Sequence, residues 1–104
     1  MPAFGLSKAR GRAIPKGWSG RVSGPSSYAT GGFTVTINDL SRVDDAIVSS
    51  TGGYLAEVSS ISGNTVTVKV YYFDYGSASA GTAVEVPDGT DLSGVTFRII
   101  AIGE

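Results

Sequence analysis

The side chains that could do chemistry in this chain are few. Nine carboxylates and eight Lys or Arg residues are present, with no histidine and no cysteine. The commonest general base, the commonest metal ligand, thiolate nucleophiles and disulfides are therefore missing together. Paired carboxylates can exchange protons or hold calcium. Asp39, Asp44 and Asp45 lie in NDLSRVDD beside Arg42, without EF-hand spacing. They read as a solvated turn with an Asx cap. Asp88 and Asp91 in PDGTDLSG read the same way, because Asp88-Gly89 is turn chemistry; a calcium site there is the minor alternative. The serines have no partner base to activate them. Lys8 and Lys16 sit in a glycine-punctuated stretch that is a poor frame for catalytic geometry. GPSSYATGG is glycine-rich but fits no phosphate-loop pattern. We expect no enzyme, no cofactor and no metal.

Two other groups can recognise partners. In YYFDY, Tyr71 and Phe73 share one face of a strand and Tyr72 takes the other, with Tyr75 in the loop beyond. Adjacent aromatics can stack on bases or sugars, but packing in the core or at a subunit boundary is the simpler expectation. The second group is SKARGRAIPKGWSGR. Residues 1–38 hold Lys8, Arg10, Arg12, Lys16 and Arg21 and no acid, a net +5, while residues 39–104 carry −6, which leaves −1 overall. Such asymmetry marks an interaction arm on a body. Phe4, Leu6, Ile14 and Trp18 are interleaved with the charges, as expected of a segment that fills pockets on a neighbouring protein. Phosphate binding would not need them, and an acidic body would repel nucleic acid.

The elements that must hold these groups follow from periodicity. At 104 residues the chain is one domain by length. Residues 1–32 show no sustained period, being broken by Gly5, Gly11, Gly17, Gly20, Gly24, Gly31 and Gly32 and by three prolines. They are expected to form an extended basic arm. From Phe33 the pattern alternates, which is the mark of half-buried strands. FTVTI, AIVSS, YLAEVSSI, TVTVKVYYF, AVEV and VTFRIIAI are six such runs, with a hairpin turn at Ser62-Gly63-Asn64. Their spacing predicts an all-β body over residues 33–104, a small antiparallel sandwich or barrel. The closing run is apolar on both faces near Ile99, Ile100 and Ile102, so it is either central or covered by a partner. No run approaches the ~18 apolar residues of a membrane span, and MPAFGLSKARGR lacks the apolar stretch of a secretory signal.

From Ser27 to Gly103 the chain resembles small virion structural proteins of tailed phages and archaeal viruses. The resemblance rests on Gly32-Phe33, on Gly53-Tyr54-Leu55-Ala56, on the Val-rich strand after Gly63-Asn64, and on the closing GTDLSG…FRIIAIG. It implies a β-sandwich repeated on a particle surface, as a capsid decoration (cement) or minor tail protein, located in the virion and without catalytic residues. The arm is outside the resemblance. The expected contacts with other virion subunits, or with further copies of this chain, are Phe4, Lys8, Arg10, Arg12, Ile14, Lys16, Trp18, Arg21, Tyr71 and Phe73. Two alternatives stand beside this: a sequence-independent nucleic-acid-binding barrel of the OB type, and a carbohydrate-binding module of a fibre.

Overall fold

The run TVTVKVYYFD places Val66, Val68, Val70 and Tyr72 on one face of a strand and Thr67, Lys69, Tyr71 and Phe73 on the other. In the computed structural model, which describes residues 16–74 and 82–104, this run is the central strand of one of two sheets. The described residues form seven strands and no helix: β1 (Lys16–Ser23), β2 (Phe33–Thr36), β3 (Val43–Ser50), β4 (Leu55–Ser62), β5 (Thr65–Asp74), β6 (Thr82–Glu85) and β7 (Thr96–Gly103). All pairings are antiparallel. One sheet has the order β1-β7-β3. In the other, β4 lies along one side of β5, and β2 and β6 share its other side end to end.

The inner faces make a single core. Val66, Val68 and Val70 of β5 oppose Phe97, Ile99 and Ala101 of β7, and all six are buried. The rings of Phe33 and Phe97 meet edge to face, with centroids 5.1 Å apart, and tie the two sheets together. Burial of these alternating β-branched and aromatic side chains is the main force holding the sandwich. Ile37, Leu40 and Val43 extend the core beneath the β2–β3 connection. Asn64 fastens that connection, donating through Nδ2 to the carbonyls of Ile37 (3.3 Å) and Leu40 (3.1 Å). The two-residue β4–β5 loop works because Gly63 adopts φ +60°, where a side chain would be strained.

The fold departs from the sequence expectation in one place. Strand pairing already begins at Lys16, inside the stretch read as an arm, so the described residues hold seven strands where the sequence shows six runs. β1 pairs with the full length of β7, with Lys16 opposite Gly103 and Ser23 opposite Thr96. The reason is β7 itself. It is the middle strand of its sheet, so its backbone needs partners on both edges. β1 supplies one edge with little apolar surface of its own: Trp18 and Val22 turn inward against the core. Gly20 lies between them, and a Cβ there would come within 2.5 Å of the Trp18 ring. The glycine that hides the alternation is the floor on which the indole rests.

The segment after β1 is equally committed. The Gly24 N–H donates to the Val95 carbonyl (3.0 Å), and the Tyr28 N–H to that of Thr90 (2.9 Å). Tyr28 is buried, and its hydroxyl sits at the gap between β2 and β6 along β5. It accepts from the Val70 N–H (3.2 Å) and donates to Glu85 Oε2 (2.7 Å). An otherwise orphaned strand donor is thereby satisfied by a side chain.

Candidate functional site

Each sheet has an outer face, and the register fixes what each presents. On the β2–β4–β5–β6 sheet the outward residues are mostly hydroxylated or charged. Thr36 and Thr65 face each other across β2 and β5, their hydroxyls 3.1 Å apart. Glu57 lies opposite Lys69, and Leu55 opposite Tyr71. The Tyr71 hydroxyl donates to Glu57 Oε1 (3.1 Å), and the Lys69 ammonium lies 5.8 Å from the centre of the Tyr71 ring. Tyr71 and Phe73 do share the outward face, as the alternation predicts, while Tyr72 packs against the core. Tyr71 is half-buried among charged neighbours and only Phe73 is well exposed, so the pair does not form a bare aromatic platform.

Glu85 closes one end of this face. It accepts from both the Tyr28 hydroxyl and the Gly31 N–H (2.8 Å), the latter being the larger reason its carboxyl is held below the usual range. Burial first, and then Glu85, push the Tyr28 hydroxyl up to about 12. Asp88 accepts from the hydroxyl and N–H of Thr30, and Asp91 from those of Ser93. Both carboxyls are lowered by these bonds, led by the side-chain hydroxyl in each case. This is turn and loop fastening, as read from PDGTDLSG. In the other acidic turn Asp39 accepts from the Trp18 indole N–H (3.1 Å), and Arg42 bridges Asp44 (2.8 Å) and Glu104 (2.5 Å). No group of three or more metal-ligating side chains occurs among the described residues. A cleft of about 280 Å³ lies between the Gly52-Gly53 turn, Tyr54, Tyr72, Pro87 and Thr90. It has no charged lining.

The outer face of the β1-β7-β3 sheet is different. Ile100 of β7 lies beside Ile47 of β3, and Ile102 is the next outward residue of β7. Their exposures are 62% for Ile47, 48% for Ile100 and 47% for Ile102. Across β7 the facing positions on β1 are Ser19 and Gly17, so the isoleucines rise beside a low strip of backbone. Asp45 sits opposite Ile102, at one end of the stripe. A shallow groove of about 200 Å³ runs between Asp45, Ile47, Ile100 and Ile102. At the other end Arg21 lies directly opposite Arg98. Among the described residues neither guanidinium has a carboxylate partner. Like charges directly across a strand pair are unfavourable. Large contiguous apolar patches are uncommon on the surfaces of small domains.

The expected contact residues are thus divided. Lys16, Trp18 and Arg21 all belong to β1, but only Arg21 projects onto the outer face. Trp18 is turned to its own core and hydrogen-bonded to Asp39, so it is not a free anchor for another molecule. Phe4, Lys8, Arg10, Arg12 and Ile14 lie outside the described residues. Ile47 was missed by sequence reasoning. Its importance depends on the β3–β7 register, which no local pattern states.

No protein-family profile, no curated protein and no solved structure matches this chain. The functional reading therefore rests on the two faces alone and on the sequence resemblance.

Proposed function

We propose that this chain is a structural assembly protein that performs no reaction. Its place is in a virion, as a capsid decoration or minor tail component, joined to its neighbours through the outer face of the β1-β7-β3 sheet and through residues 1–15. The observation that carries the reading is the stripe Ile47–Ile100–Ile102 on an otherwise finished domain. Exposing three isoleucines side by side works against solubility, and covering them by a neighbour turns that cost into binding. The basic residues Lys8, Arg10 and Arg12 add positive charge in the sequence that precedes β1, suited to the acidic surface of another subunit. Repetition on a lattice multiplies weak contacts of this kind.

The test is native mass measurement of the full chain, alone and with structural proteins of its particle, repeated on a chain lacking residues 1–15. Multi-subunit species, or a complex with a larger shell or tail protein that weakens on deletion, is the expected result. A chain that stays monomeric and ignores those proteins overturns the reading. A second reading, sequence-independent nucleic-acid binding, draws on Arg21 and Arg98, which have no carboxylate partner among the described residues. Its signature is single-stranded DNA binding that falls steeply with salt. The seven strands in two sheets differ from the five-stranded OB barrel.

A further inference from the structure

We infer that the β1-β7-β3 outer face pairs with the same face of a second copy, in a two-fold arrangement that sets the Arg21/Arg98 end of each over the Asp45 end of the other. The inference rests on the assembly reading and names the partner of the face.

Three observations select a second copy. The first is charge. Among the described residues, one end of the stripe carries two guanidinium groups without a carboxylate partner, and the other carries Asp45, which accepts only a local hydrogen bond from the Ala46 N–H. A two-fold axis lying between two such faces and running across the strands brings each cationic end over an anionic end. An axis along the strands would stack Arg on Arg. The charges thus choose one of the two simple two-fold arrangements, and an interface of this kind is isologous. The second is chemistry at the centre. The crossing axis brings Ile47 and Ile100 against the isoleucines of the mate, an apolar contact between polar ends. A phosphate backbone would use the arginines and leave the isoleucines in water. The third is flatness. Gly17 and Ser19 add no bulk on the β1 side, and a Cβ at Gly17 would meet nothing. Two sheets can therefore approach to about the 10 Å of ordinary sheet packing.

The size of the face sets the strength. Three strands of eight residues cover roughly 26 by 14 Å at ordinary strand rise and spacing. A standard interface buries about 800 Å² on each partner, clearly more than this face offers. The pair is accordingly a reversible one that dissolves on dilution, of the sort that gains from repetition.

Sedimentation of the full chain over a concentration series tests the pairing. The wild type should show a monomer–dimer equilibrium, and Ile100→Lys should weaken it at least about tenfold, as expected for a residue at the centre of an interface. Because a lysine could disturb the sheet, a charge exchange decides the geometry. Arg21→Asp with Arg98→Asp in one chain, and Asp45→Arg in another, should each self-associate less than wild type. An equal mixture of the two should form heterodimers, since both ends are then complementary again. A wild type that is monomeric at every concentration overturns the pairing. So does an unchanged dimer in Ile100→Lys, or a mixture that gains nothing. If a monomeric wild type still binds a different structural protein, the assembly reading stands and only the two-fold pairing falls. Single-stranded DNA binding abolished by the double arginine variant, without dimers in the wild type, overturns the pairing in favour of phosphate contact.

Discussion

The two outer faces of this small sandwich are built to the same geometry and finished differently. On the β2–β4–β5–β6 side the long polar side chains are occupied, Tyr71 with Glu57, Lys69 against Tyr71, Glu85 with Tyr28 and Gly31, and Leu55 and Phe73 are the exposed apolar residues among them. On the β1-β7-β3 side three isoleucines are exposed side by side, and among the described residues Arg21 and Arg98 have no carboxylate partner. The difference is not one of strand quality, because β5 and β7 have equally buried inner faces. It shows that the inner face of a strand answers to the fold, and the outer face is free to answer to something else.

The sharpest way to break the comparison is to cross from one side of β7 to the other. Phe97→Ala on the inner face should cost about 3–5 kcal/mol, because it empties a fully buried site and removes the Phe33 contact. Denaturant unfolding measures this directly. Ile100→Thr, three residues further on, should leave the midpoint of the diluted monomer within about 0.5 kcal/mol. If Ile100→Thr proves as damaging as Phe97→Ala, the two faces of β7 are not divided as described. Next in size is Tyr28→Phe, expected to cost about 1–3 kcal/mol, since the Val70 N–H is left unsatisfied inside the sheet.

Titration gives smaller effects with opposite signs at the two ends of the pH range. Tyr28 holds its proton more tightly when folded, up to about 12 against the ordinary 10.0. The unfolded chain therefore releases that proton first, and stability present below pH 10 should fall as pH rises from about 10 to 12. Tyr28→Phe should flatten this slope. Glu85, Asp88 and Asp91 have lowered carboxyls in the fold. Their contribution is present above the unfolded carboxylate range and should be lost as pH falls through it toward the lowered folded values. Glu85→Gln should reduce the acid slope in a urea series across pH. Smallest of all, Lys69→Met on the exposed outer face of β5 should leave the unfolding midpoint unmoved within error.

Much of this was legible beforehand, and the rest was hidden for physical reasons. β2 to β7 announce themselves by alternation, and Tyr71 and Phe73 face outward as that alternation requires. Ile99, Ile100 and Ile102 mark β7 as unusual, and the strand turns out to be both central in its sheet and apolar on its open side. β1 escaped because an edge strand laid against an apolar neighbour needs few apolar residues of its own. Gly20 is invisible as a strand residue until Trp18 is seen lying over it. In the sequence Tyr28 falls within the stretch expected to form an extended arm. Its role depends on a gap between β2 and β6, created by partners some forty to sixty positions away. Ile47 becomes a site residue only through its pairing with Ile100.

The place of β7 in the middle of its sheet also has a temporal consequence. β1 and β3 touch each other nowhere along their lengths and are joined only through β7. During synthesis, residues 16–23 and 43–50 must wait for residues 96–103 before either can pair in that sheet. Loops of such span close slowly. Until they close, Ile47 has neither its own sheet nor a companion molecule to cover it.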